Sequence, residues 1–226
     1  MRFHYAMHLA LMAWWYVVLS SCHEATSENT ELHAKDNASL EVNATYHEGD
    51  ILFQVSTSGQ GKAIQIATNS AYSHCGLLFK EGDQWVVYEG VQPVKKTALA
   101  AWIARGDHQH YVIKRHKDAL QLLSFENIEK MKSEARTHLG KNYDLTFEWS
   151  DDRIYCSELV YKVYLRGAGI SLGTLQKLKE FNLKAPAVRR KLTERYGSQI
   201  PLNETVISPG SIFEDPTLRT IFRNHI

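Results

Sequence analysis

The chain carries almost no net charge: 26 Lys and Arg stand against 25 Asp and Glu, a formal charge of +1. That leaves no basic field to gather nucleic acid. Metal-site spacings are also missing. The eleven His are scattered, there is no HExxH and no paired CxxC, and only His108-Gln109-His110 cluster. Such a set gives little support to a metal, and no cofactor is expected. The apolar run from Ala6 to Leu19 is too short to cross a bilayer comfortably. Internal repeats and low-complexity runs are absent. Cysteine is scarce, at three residues, so each can be considered by itself. What remains is an ordinary globular composition, 44% hydrophobic and 23% charged over 226 residues, enough for one domain with a sizeable core.

The N-terminus reads as a targeting segment. Arg2 precedes the apolar run, which suits the core of a signal peptide. The run ends in Leu19-Ser20-Ser21-Cys22. This is similar to the bacterial lipobox, in which two small residues let a peptidase approach the bond before a lipidated Cys. An ordinary secretory signal that happens to hold a Cys is the alternative. The expected organisation is a lipoprotein signal over 1–21, a polar tether over 22–45 beginning at a lipidated Cys22, and a domain over 46–226. The protein is then exported and held to a membrane of the cell envelope by acyl chains. Cys75 and Cys156 remain in an oxidising setting, where a disulfide has to be considered.

Within the domain, Ile51 to Val55 reads as a strand and Lys62 to Thr68 as a short helix broken by Asn69-Ser70. His74 to Phe79 and Gln84 to Glu89 read as a hairpin around a two-residue loop, Glu81-Gly82. That loop sets Lys80 opposite Asp83, Phe79 opposite Gln84 and His74 opposite Glu89. Facing residues share a side of the sheet, so Cys75 is expected to point the other way and not to reach Cys156. Trp102-Ile103 falls on a short amphipathic segment, and Tyr111 to Ile113 is a strand. A helix capped by Ser124 carries Ile128, Met131, Ala135 and Leu139 on one face and ends at Gly140. A further helix runs from Ala187 to Tyr196, entered through Pro186, and a last short one is expected near Pro216 to Phe222. Strands in the first half with flanking helices make one α+β domain.

The chemistry gathers at Asp151 to Val160. Leu159, Val160, Val163 and Tyr164 recur at helical spacing, and Gly167 supplies a stop. Cys156 therefore sits in or just before the first turn, where free N–H groups and the helix dipole favour a thiolate. A small buried core Cys is the plainer reading, and partners decide against it. His74 offers an imidazole, and Glu89 offers a carboxylate to orient it. Alone, Glu89 would be a strand-end carboxylate and His74 a hydrogen-bonded strand residue. Glu158 reads as a solvated or capping side chain. Asp151 and Asp152 read as residues preceding or capping the helix, or as an attraction for an amine-bearing substrate. Gln54 is a possible oxyanion donor set against a plain strand residue.

Gly49-Asp50-Ile51, Ser73-His74-Cys75-Gly76, Tyr88-Glu89-Gly90-Val91 and Tyr155-Cys156-Ser157-Glu158-Leu159-Val160 together resemble the permuted NlpC-type papain-like cysteine hydrolases, in particular their YiiX/YebB-like branch. The resemblance runs from about Gly49 to Phe213. It implies a circularly permuted papain-like fold whose central antiparallel sheet packs against the nucleophile's helix. It implies Cys156 as nucleophile, His74 as general base, Glu89 as the orienting member, and Tyr155 near the oxyanion site beside the Cys156 N–H. Gly90 stands where many relatives have Ala, which reads as a minor change. The implied reaction is amide hydrolysis through an acyl-enzyme, on a peptidoglycan stem peptide, another peptide or an acyl amide. Lipid acyl hydrolysis or transfer by the same fold is one alternative, and a non-catalytic module binding peptide or acyl ligands is the other.

Overall fold

The computed structural model describes residues 46–224; the expected signal segment, Cys22 and the tether lie outside the described residues. β1 (Ile51–Gln54) is buried along its whole length and lies inside a six-stranded antiparallel sheet. A polar loop leads to α1 (Gly59–Thr68), which Ser58 caps and Asn69 ends in the left-handed conformation at φ 50°. The hairpin β2 (His74–Glu81) and β3 (Gln84–Glu89) follows, then β4 (Lys95–Ala98) and α2 (Leu99–Arg105). β5 (Tyr111–His116) pairs with β1, and α3 (Phe125–Thr137) is capped by Ser124, whose hydroxyl accepts from the Asn127 N–H. Next comes α4 (Cys156–Ala168), which begins at Cys156. The tail supplies β6 (Gln176–Lys177), α5 (Pro186–Tyr196), β7 (Thr205–Val206), α6 (Pro209–Phe213) and β8 (Leu218–Arg223). The six strands run in the order β4-β3-β2-β1-β5-β8, and β6 with β7 forms a separate ribbon. This is the expected α+β architecture, with the Cys156 helix packed on an antiparallel sheet.

Period-two alternation sorts the sheet into two faces. Ile51, Phe53, Cys75, Leu77, Phe79, Val86 and Tyr88 share the core with Leu159, Val160 and Val163 of α4. Gln54, His74 and Glu89 belong to the opposite face, the side on which Trp102 of α2 lies over His74. Beside the start of β1, buried Asp50 accepts from Arg115 Nε at 2.6 Å and Nη2 at 2.7 Å. This fork ties the start of β1 to β5, and the Tyr164 hydroxyl of α4 donates to the neighbouring Gly49 carbonyl.

Four expectations are corrected. The hairpin loop is Gly82-Asp83, with Glu81 paired to Gln84 and Leu77 to Tyr88. Gly82 takes φ +60° at the first central position, the place where such loops favour glycine. The segment near Pro216 to Phe222 is strand β8 on the sheet edge, not a helix. Gly167 does not stop α4: the helix runs to Ala168 and Gly169 caps it at φ 71°. Gly167 instead lets α3 approach, since a Cβ there would lie 2.6 Å from the Met131 Cα. Leu139 and Gly140 lie beyond α3, which ends at Thr137 with His138 as its cap.

Candidate active site

His74 is the first residue of β2, and α4 begins with Cys156 at the same end of the sheet. The imidazole Nε2 lies 2.7 Å from Glu89 Oε2. The ring's other partner is Cys156: the two side chains shift one another's titration, His74 upward and Cys156 downward. With Nε2 given to Glu89, Nδ1 is the nitrogen left for sulfur. Glu89 and His74 are not directly opposed, because the true register sets them diagonally. Moving a two-residue loop by one position shifts the pairing by two, so both side chains keep their shared face. Two long side chains then bridge the diagonal spacing of roughly 7–8 Å.

Glu89 is more firmly held than the sequence implied. Its Oε1 accepts from Thr97 Oγ1 at 2.6 Å, and Oε2 also accepts from Arg105 Nη2. Burial raises its carboxyl, but the bonds from His74, Arg105 and Thr97 outweigh that and hold it down to about 2. Burial likewise acts to lower His74, yet Cys156 and Glu89 push it up to about 9. Trp102 lies nearly parallel to the imidazole with centroids 6.0 Å apart and screens it from water. Neither Arg105 nor Thr97 announced itself in the sequence: Lys95-Lys96-Thr97-Ala98 has no apolar alternation to reveal a strand.

Cys75 is the clearest correction. It does point to the face opposite His74, but α4 packs on that face, so Cys75 reaches Cys156 from the other side. The Cys75 thiol is the largest influence lowering Cys156 well below an ordinary thiol; burial opposes it, and His74 and the Cys75 N–H add to the lowering. Burial and the same contact push Cys75 far up. Both are free thiols. The shifts run in opposite directions: Cys156 and His74 favour their charged forms and Cys75 its neutral thiol. Gly90 is the second correction. A Cβ there would lie 2.7 Å from the Cys156 nitrogen and 2.8 Å from the Tyr155 carbonyl carbon. In this chain the position must be glycine for the start of α4 to lie against the end of β3.

The remaining expected residues divide. Tyr155 is the N-cap of α4; its hydroxyl accepts from the Ile207 N–H at 3.1 Å and its ring meets Phe147 edge-on. It therefore forms a wall beside Cys156. Gln54 is paired with His74 across β1 and β2, with its Oε1 buried, unpartnered among the described residues, and turned toward Gly106. Glu158 caps rather than being solvated: it is buried, its Oε2 accepts from the Tyr155 N–H at 3.4 Å and its Oε1 lies 2.7 Å from Lys162 Nζ. Asp151 does not cap; it anchors Lys162 at 2.8 Å and Arg166 at 3.1 Å. The N–H groups of Cys156 and Ser157 open the helix and have no intrahelical acceptor, so they are available to a developing oxyanion. Among the described residues, no group of three or more His, Cys, Asp or Glu side chains is placed to hold a metal ion.

Residues 45–222 match the family described as permuted papain-like amidase enzymes, YaeF/YiiX. The YiiX protein of Escherichia coli K12, itself described as uncharacterized, is 50% identical over 173 residues, 76% of this chain and 84% of its own. A crystal structure described as the metalloprotein yiiX of Escherichia coli O157:H7 superposes with a TM-score of 0.76 at 49% identity, covering 80% of this chain and 98% of that one. The donor set around Cys156 and His74 does not fit a metal centre here.

Proposed function

The chain belongs to the permuted papain-like amidases of the YaeF/YiiX family, and from that premise we propose that it hydrolyses amide bonds with Cys156 as nucleophile, His74 as acid and base, and Glu89 as the orienting carboxylate. The observation that carries the reading is the His74 Nε2 contact to Glu89 at 2.7 Å, with Cys156 as the other side chain that holds the imidazole in its charged form. The thiolate attacks the amide carbonyl and the oxyanion forms near the first N–H groups of α4. His74 gives its Nδ1 proton to the leaving nitrogen, the C–N bond breaks, and a thioester remains on Cys156. The neutral imidazole then takes a proton from water, hydroxide attacks the thioester, and the carboxylic product leaves with the thiolate restored. Glu89 keeps the Nε2 proton in place and balances the imidazolium.

The proposal extends to location and substrate. Cys22 is lipidated, so the enzyme acts at a membrane surface of the cell envelope, and its amide is that of a peptidoglycan stem peptide or of an acyl amide. A cavity between α1 and α5, lined by Cys156 and by apolar side chains that include Ile64, Phe147, Val188 and Leu192, favours the acyl amide. Incubating the protein, with Cys156→Ala as control, with muropeptides and with N-acyl amides, and reading the products by mass spectrometry, tests the reaction. Equal product from the alanine variant would remove Cys156 as nucleophile and return the fold to a ligand-binding role.

A further inference from the structure

Cys75 stands close behind Cys156. The hairpin register pairs Leu77 with Tyr88, and a Cβ built on Gly76 would lie 3.5 Å from the Glu89 Cβ. The register therefore continues past its last ladder pair. Its next step sets Cys75 opposite Gly90, with Cβ positions roughly 4.5–5.5 Å apart on one face. A Cβ on Gly90 would in turn lie 2.9 Å from the Cys156 Cα. Cys75 thus points at the volume beside the first residue of α4, and Gly90 has no side chain to part the two thiols. Both are free and belong to one core cluster. Their titrations agree with contact: burial and Cys156 push Cys75 up, and Cys75 draws Cys156 down.

The two sulfurs differ in what can reach them. Cys156 lines a cavity that opens to solvent, whereas Cys75 is wholly buried. An oxidant small enough to enter therefore meets Cys156 first, and in the thiolate form that peroxides attack. Sulfur takes one oxygen of hydrogen peroxide, the O–O bond breaks, hydroxide leaves, and a sulfenic acid remains on Cys156. Further peroxide would carry that sulfenic acid to the irreversible sulfinic acid. We infer that Cys75 is the resolving thiol of Cys156: its sulfur displaces hydroxide from the sulfenic acid, and a Cys75–Cys156 disulfide closes the site reversibly. The Cys75 proton goes to the departing hydroxide as water. In sum two thiols lose two electrons and two protons, and one peroxide becomes two waters. Burial and the Cys156 sulfur both hold the Cys75 proton. Oxidation removes the negative charge on Cys156, so Cys75 becomes easier to ionise when its attack is needed.

The reduced full-length protein, in detergent, is treated with hydrogen peroxide and quenched with N-ethylmaleimide. Non-reducing peptide maps read the bridge, and iodoacetamide labelling of Cys156 before and after dithiothreitol reads its reversal. Expected in the parent is a Cys75–Cys156 peptide pair, loss of Cys156 labelling, and its recovery on reduction. Cys75→Ser keeps the size and a polar hydrogen but cannot form the bridge. At the same peroxide dose it is expected to carry Cys156 to sulfinic acid, with dithiothreitol restoring roughly tenfold less labelling than in the parent. Dimedone should trap the sulfenic acid in this variant. A parent that gives sulfinic acid at Cys156 with no bridge, a bridge from Cys156 to Cys22 instead, or recovery in Cys75→Ser equal to that of the parent overturns the inference. The parent's peptide map decides even if the variant fails to fold. No readout uses amide hydrolysis, so a missing bridge leaves the amidase reading standing, and a bridge in a protein without amidase activity supports the resolving role alone.

Discussion

Replacing Glu89 by Gln removes one charge from a fully buried position and leaves its shape. The carboxylate now accepts from His74 at 2.7 Å, from Thr97 at 2.6 Å and from Arg105. An amide can still accept from Nε2, but it cannot balance an imidazolium. His74 stands at about 9 against an ordinary 6.5, although burial works to lower it. That rise is shared between the Cys156 thiolate and the Glu89 carboxylate, each of which favours the charged ring. If the carboxylate supplies half of that rise, its loss leaves most of the rings charged at pH 7 and lowers kcat/KM about tenfold at pH 9. The pH profile gives the sharper readout. Activity requires thiolate and imidazolium together, so it appears as pH rises through the lowered Cys156 value and disappears as pH rises through the His74 value. In Glu89→Gln the alkaline limb should fall from about 9 by a little over one pH unit. The pH dependence of iodoacetamide labelling at Cys156 should move with it, while circular dichroism stays that of the parent. An alkaline limb still near 9 and a rate at pH 9 within twofold of the parent would refute the role given to the carboxylate.

Four further outcomes are expected. Iodoacetamide should label Cys156 fast and Cys75 slowly near pH 7, and Cys75→Ala should raise the pH at which Cys156 becomes reactive, because it removes the largest influence holding that thiol down; equal labelling rates would contradict the assignment. Gly90→Ala should lower kcat/KM by about a hundredfold, because its methyl would meet the backbone at Cys156 and Tyr155, and a crystal structure of the variant should show α4 displaced at its first turn. Gly167→Ala should cost roughly 1–3 kcal/mol by crowding the Met131 backbone, read as a lower midpoint in urea with an unchanged m-value; a more stable variant, as helix propensity alone would give, would show that α3 can give way. Cys22→Ala should move the protein from the membrane to the soluble fraction, and mass spectrometry of the mature terminus should find diacylglyceryl only in the parent.

Some of this protein is local and therefore legible in the chain. The start of α4 at Cys156 follows from helical spacing after a polar stretch. The shared face of His74 and Glu89 follows from alternation, and that survived a wrong loop because a two-residue loop slides in steps of two. Period two is insensitive to such a step, whereas the exact opposition of two residues is not. Other features arise only when distant segments meet. Whether Cys75 is remote from Cys156 depends on which face of the sheet α4 covers, and nothing in the strand itself encodes that. Lys95 to Ala98 and Leu218 to Arg223 are edge strands that lack an apolar alternation to mark them, so pairing with β3 and β5 makes them strands. Arg105 reaches Glu89 only because α2 lies across that face. Gly90 looks like any small residue until the first turn of α4 is laid against it. The cavity joins α1 to α5, residues more than a hundred positions apart, and its carbon walls are ordinary core residues in sequence. The order of residues determines which groups can do chemistry, since that depends on each residue's identity and its near neighbours. What those groups touch, and hence how they titrate and what they bind, is decided by packing between segments that the chain keeps far apart.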